Sequence, residues 1–167
     1  MALDQKQYRY WERFFPGLIA AVEQLGPGEF NSGQLRTRPS GSHNDAIAGI
    51  WLRLIFSLKD GHDLKIEIQL NARHGTPPYM PESEAQVDLC NWQRKHYALH
   101  YGVQLGDAIF RFDLDQFGHH VHILPNVGEH VSCDRVTPNV KDIDPREFIR
   151  MVAAYRNDGT YPVRKKL

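Results

Sequence analysis

Apolar residues recur at Trp11, Phe14, Phe15, Leu18, Ile19, Val22 and Leu25, the three-and-four spacing that gathers them on one side of a helix. Pro16 predicts a kink or split within it, and Gly26-Pro27-Gly28 ends it. Residues 31–45 are polar and rich in Ser, Gly and Arg, which reads as a long loop. The period then changes. Ile50, Leu52, Leu54, Phe56 and Leu58 alternate with Trp51, Arg53 and Ser57, and a second alternating run, Leu64, Ile66, Ile68 and Leu70, follows Asp60-Gly61. Asp-Gly supplies the positive φ angles of a tight two-residue turn, so the pattern predicts a β-hairpin.

Pro77, Pro78 and Pro81 make residues 73–84 irregular, and residues 88–92 carry no assignable pattern. Three more strands are predicted over 95–101, 108–114 and 119–124, with turns at 102–107 and 115–118. The last element is the best-marked helix. Asp144 caps it, Pro145 suits its first position, Glu147 completes a capping box, Ile143 and Phe148 form a hydrophobic staple, and Gly159 stops it. Phe148, Ile149, Val152 and Tyr155 are its buried stripe. The expectation is an α+β fold in which an antiparallel sheet of about five strands carries an N-terminal and a C-terminal helix on one face. The 167 residues suffice for one domain, divided into a helical segment over 1–45 and the sheet with its terminal helix over 46–160.

Composition narrows the function classes. Twenty basic and twenty acidic side chains cancel, which argues against coating nucleic acid by bulk charge and leaves room for a local basic site. Cys90 and Cys133 share no close spacing, and no signal-peptide h-region or membrane-length apolar run is present, so reduced thiols and a cytoplasmic location away from membrane are expected. The outlier is histidine. Of nine histidines, His96, His100, His119, His120 and His122 crowd one stretch.

Alternation along the last three strands sorts these residues by face. Tyr97, Leu99 and Tyr101 go to the core and leave His96 and His100 opposite. Phe110, Phe112 and Leu114 go inward and leave Arg111 and Asp113. Val121 and Ile123 leave His120 and His122. If the strands are neighbours, one polar face collects His96, His100, Arg111, Asp113, His120 and His122. A solvated sheet face needs no function, but four histidines with an arginine and an aspartate offer two chemistries. In one, histidines relay protons because their pKa near ~6.5 lies close to working pH, and Arg111 stabilises charge on a phosphate; RNA cleavage through the 2′-hydroxyl needs no more. In the other, His120 and His122, about 7 Å apart along the strand, grip a divalent ion with Asp113 or His100. Arg111 on the same face favours the version without metal or other cofactor, since a guanidinium opposes a cation and attracts a phosphate.

Other residues carry weaker signals. Lys65, Glu67 and Gln69 share a strand face with a faint likeness to the E-x-K strand of metal-dependent nucleases, and read as solvated. Arg36 and Arg38, with Arg164, Lys165 and Lys166, are candidates for phosphate contact.

The run Arg94-Lys95-His96-Tyr97-Ala98-Leu99, then Phe110-Arg111-Phe112-Asp113, then Gly118-His119-His120-Val121-His122-Ile123, followed by Glu129 and a terminal helix, resembles TumE-type toxins of bacterial toxin–antitoxin systems. The resemblance covers roughly residues 65–155. Where that family carries an acidic residue before its first histidine, this chain has His119. The resemblance implies a small toxin-like protein acting on RNA and restrained by an antitoxin or other protein partner. The expected function is thus a toxin-like endoribonuclease with His120 and His122 as acid/base groups, Arg111 on the phosphate, Asp113 orienting a histidine, and His96 and His100 nearby. The competing expectations are a protein-binding module of phage or defence origin and a metal-binding histidine-rich sheet.

Overall fold

A computed structural model describes residues 5–26, 28–40, 43–72, 92–123 and 128–166. The amphipathic N-terminal run is helical and split where proline forces it: α1 spans Gln5–Phe14 and α2 spans Leu18–Glu23, with Gly17 between them at φ +74°. Trp11, Phe15, Leu18, Val22 and Leu25 are buried, as their spacing requires.

Seven antiparallel strands follow in one sheet, and their order in space is their order in the chain: β1 Gly28–Ser40, β2 His43–Leu58, β3 His62–Ala72, β4 Trp92–Val103, β5 Ala108–Asp115, β6 Gly118–Ile123 and β7 Val131–Ser132. The fold is α+β, with seven strands where five are predicted. The stretch over 31–45, read from its polarity as a loop, lies largely in β1, which pairs along β2 from Gly28 opposite Leu58 to Ser40 opposite His43. Its polar pattern follows from its place: β1 is an edge strand whose inward side, with Phe30 and Leu35 against the core, is only half-buried, while Glu29, Asn31, Gln34 and residues 36–38 are exposed, so burial imposes no strict apolar alternation. The seventh strand is too short for a periodic signal.

The predicted β2–β3 hairpin is present, but three residues connect its strands, not two. Lys59, Asp60 and Gly61 lie between Leu58 and His62, the Gly61 N–H donates to the Leu58 carbonyl at 3.1 Å, and Gly61 takes φ +85°. This is the turn with a left-handed glycine that closes three-residue loops. The three later strands fall where alternation puts them, each within a few residues of the predicted ends. Residues 73–91, including the predicted irregular stretch and Cys90, lie outside the described residues.

α3 spans Pro145–Asp158. The Asp144 carboxylate accepts the Arg146 N–H at 2.8 Å, Pro145 begins the helix, and Gly159 ends it at φ +74°. Glu147 pairs with Arg150 one turn on. Phe148 from α3 meets Phe110 and Phe112 of β5 edge to face, with ring centroids 5.7 and 5.6 Å apart, and Tyr155 meets Phe110 at 5.7 Å. Side chains of α1, α2 and α3 belong to one hydrophobic cluster with the inward residues of β2 to β6. A two-stranded ribbon, β8 Val136–Thr137 with β9 Arg164–Lys165, then ties the segment after β7 to the C-terminal segment.

Because Phe148 is fully buried against two rings, Phe148→Ala is expected to lower unfolding free energy by about 3–5 kcal/mol, against about 1 kcal/mol for loss of the Asp144 cap in Asp144→Ala. Urea unfolding of the two variants measures both.

Candidate functional site: a histidine and aspartate cluster on the far face of the sheet

The register of β3 to β7 builds the site in two rows. Lys65 lies opposite His100, His100 opposite Arg111, and Arg111 opposite His122. In the next row Glu67 lies opposite Ala98, Ala98 opposite Asp113, Asp113 opposite His120, and His120 opposite Ser132. The inward neighbours Phe110, Phe112 and Val121 fix these rows to the other face, because successive side chains of a strand alternate.

The predicted residues then separate. Arg111, Asp113, His120 and His122 come together. His96 turns to the Glu67 carboxylate, 3.8 Å away, which Arg53 approaches at 3.5 Å; this arrangement leaves Glu67 an ion-pair partner and not part of a nuclease carboxylate set. His100 sits between Lys65 and Arg111, and its Nε2 has no hydrogen-bond partner among the described residues. Burial, followed by the Lys65 and Arg111 charges, pushes its pKa down to about 4. His119 points the other way, accepting or donating at Tyr97 Oη 3.0 Å away and lying 3.2 Å from Asp142; burial holds it below the ordinary histidine value. Of the basic candidates, Arg36 stacks on Trp51, Arg38 reaches the Ala48 carbonyl, Lys165 pairs with Glu129, and Lys166 donates to the Asp134 carbonyl.

Sequence reasoning missed His130. It sits just before β7, exposed at the mouth of the cluster, with its ring 4.5 Å from His120 and 4.6 Å from His122 between centroids. One ring nitrogen from each of His120, His122 and His130 lies within 4.8 Å of the others. The available signal was a third histidine eight positions beyond an H-x-H, across a segment long enough to return the chain beside it.

The interior of the cluster is buried: Asp113 is 1% exposed, His120 3% and His122 9%. Arg111 Nε lies 2.8 Å from both Asp113 oxygens and donates to Oδ1, while Oδ2 also faces His122 Nε2 at 3.3 Å and His120 Nε2 at 3.7 Å. His120 Nδ1 lies 3.0 Å from the Gly118 carbonyl. A carbonyl only accepts, so Nδ1 carries a proton, and Nε2 presents a lone pair when the ring is neutral. Gly118 holds this carbonyl in place from a left-handed conformation, φ +82°, that follows the two-residue turn Gln116-Phe117. Asp113 Oδ2 and His120 Nε2 are both buried and neither makes a hydrogen bond among the described residues. Lone pairs thus converge beside a guanidinium, in a cluster that can move protons, bind a phosphate or hold a cation. His130 also lines a cavity of about 520 Å³ with Ser132, Arg135, Lys165 and Lys166 on its walls.

Fold and site together define an α+β protein with a buried aspartate and three histidines on the outer face of an antiparallel meander. No protein-family model, curated protein or solved structure matches the chain.

The depressed pKa of His100 has a consequence for acid stability. The folded state holds this imidazole neutral down to about pH 4, whereas in the unfolded chain it takes up a proton near ~6.5, so stability falls as pH drops through that window and is unaffected above it. His100→Gln is expected to show a shallower loss of urea midpoint between pH 7 and pH 4.5 than the unmodified protein. Equal slopes would show that His100 is not the group responsible.

Proposed function

We propose that this protein is a toxin-like endoribonuclease whose active centre is the histidine face of β5, β6 and the turn before β7. The observation that supports this best is the convergence of three imidazoles and a carboxylate beside Arg111, whose side chain stays 43% exposed while its Nε is fixed to Asp113. A guanidinium held on one side and open on the other is suited to a phosphate.

In the reaction, the RNA 2′-hydroxyl gives its proton to the cluster and its oxygen attacks the adjacent phosphorus. The bond from phosphorus to the 5′-oxygen breaks, and that oxygen leaves with a proton returned from the cluster. The products are a 2′,3′-cyclic phosphate and a 5′-hydroxyl end. Arg111 offsets the charge that grows on the non-bridging oxygens. Sequence alone assigns the proton transfers to His120 and His122. We assign one transfer to the exposed His130 and the other to the buried His122, with the more deeply buried His120 and Asp113 as positioning residues behind them. The resemblance to TumE-type toxins agrees with an RNA substrate, a cytoplasmic site of action and a restraining protein partner.

A second reading, a protein-binding module, draws on a different part of the sheet. Exposed Trp51 of β2 lies beneath the Arg36 guanidinium, 5.2 Å from its ring centre, an aromatic and arginine pairing common at binding hot spots.

Induced expression in bacteria separates the two. Wild type is expected to arrest growth with cleaved RNA, and His130→Ala and Arg111→Gln, both at accessible positions, are expected to lower the cleavage rate of the purified protein by about 100-fold or more. Normal growth and intact RNA with wild type, together with retention of a protein partner that Trp51→Ala abolishes, would overturn the enzyme in favour of the module.

A further inference from the structure

We propose that His120, His122 and His130, beside the carboxylate of Asp113, form a binding site for one divalent transition-metal ion. It shares its residues with the reading above but does not depend on RNA being the substrate.

Asp113 Oδ2 and His120 Nε2 face each other across 3.7 Å, both buried and neither hydrogen-bonded among the described residues. Arg111 answers the carboxylate from one side, its Nε 2.8 Å from Oδ2, which leaves the buried ring nitrogen of His120 as the group without a partner. A proton or a metal ion beside it would supply one. A shared proton would draw a charged nitrogen and oxygen pair to about 2.7–2.9 Å. The observed separations to both ring nitrogens, 3.7 and 3.3 Å, are wider, and close to the about 3.4 Å between neighbouring donors around a tetrahedral ion with bonds of about 2.0–2.1 Å.

The surroundings prepare the ring for that role. The Gly118 carbonyl holds the proton of His120 on Nδ1, the backbone bond by which metal-binding histidines present the other nitrogen. Asp113 is oriented from behind by Arg111. The guanidinium, which in sequence terms speaks against a cation, donates to Oδ1 and lies 2.8 Å from both carboxylate oxygens, so its charge is answered by Asp113. The three imidazole donors lie within 4.8 Å of one another, so some contraction is needed. His130 can supply it, since it stands exposed on a turn and not on a paired strand.

The donor set selects the kind of ion. Three imidazoles and one carboxylate suit zinc, manganese, iron(II), cobalt or nickel; magnesium and calcium prefer oxygen alone. The side of His130 opens to the 520 Å³ cavity, whose walls carry Arg135, Lys165 and Lys166 together with Glu129 and Asp134, which leaves water room to approach the ion. With an ion bound, these imidazoles would hold it, and the ion would supply Lewis acidity at the site.

The test uses the full chain without a histidine tag, stripped with chelator and dialysed. Calorimetric titration with zinc and with manganese, elemental analysis, and the visible spectrum of the cobalt-loaded protein read binding with no RNA present. One ion per chain is expected. His130→Ala, at an exposed position that the fold does not need, should weaken binding about 10- to 100-fold and alter the cobalt spectrum, and Asp113→Asn should do the same if circular dichroism shows it folded. His96→Ala, outside the cluster, should bind as wild type. Failure of every ion to bind at one per chain, or binding unchanged by His130→Ala, would overturn the site. RNA cleavage that persists in chelator while no ion binds would retain the nuclease reading and remove this one; stoichiometric binding without RNA cleavage would do the reverse.

Discussion

Burying a carboxylate costs several kcal/mol unless its charge is answered, and Asp113, 1% exposed in the middle of β5, imposes that requirement on everything around it. Arg111 answers it from two positions along the same strand, through a bond at 2.8 Å. The Nε donates to one oxygen and stands equally close, 2.8 Å, to the other. The rings of His120 and His122 close over the second oxygen from the adjacent strand, and their placement depends on the β5–β6 register, Asp113 opposite His120 and Arg111 opposite His122. A one-residue slip would exchange faces, sending the histidines among the phenylalanines and Val121 outward. The aromatic face therefore protects the polar one. Phe110 and Phe112, locked against Phe148, make any other register costly, and the precision of the cluster derives from packing on the opposite side of the sheet.

The same alternation explains which parts were legible in the sequence. Where one face is buried and the other polar, as in β4, β5 and β6, period two is written into the residues, and the face holding Arg111, Asp113, His120 and His122 can be read without coordinates. The β2–β3 hairpin is legible for the same reason, and α3 because its caps are local chemistry. β1 was not, because an edge strand with many exposed side chains satisfies its geometry with Gln34, Arg36, Thr37 and Arg38 as readily as with apolar residues. Polarity there reports solvent, not loop. His130 was missed for a different reason. Its contact with His120 crosses from one strand to the turn before the next, and no periodicity within a single element encodes it.

Shared face did not mean shared site. His96 and His100 lie on the predicted side, yet the register sets them beside different neighbours: Gln69 for His96, Lys65 and Arg111 for His100. His96 is drawn to Glu67. His100, flanked by two cations and partly buried, is kept neutral, and a neutral imidazole between lysine and arginine lowers the repulsion that a third positive charge would create. Alternation sorts residues to a face; only register and charge decide which of them meet.

Charge order within the cluster links the two proposals made for it. From the buried end outward the sequence is lone pair of His120, carboxylate of Asp113, guanidinium of Arg111, the last 43% exposed. A cation at the lone pairs and an anion at the guanidinium would lie on opposite sides of one carboxylate, each facing the sign it needs. A phosphate bound at Arg111 alone would be held by a guanidinium already partly neutralised by Asp113. An ion drawing on the other oxygen of that carboxylate shifts its electron density away from Arg111 and leaves the guanidinium a stronger partner for phosphate. The two binding events would then favour each other through Asp113, and coupling between them is reciprocal by thermodynamic necessity.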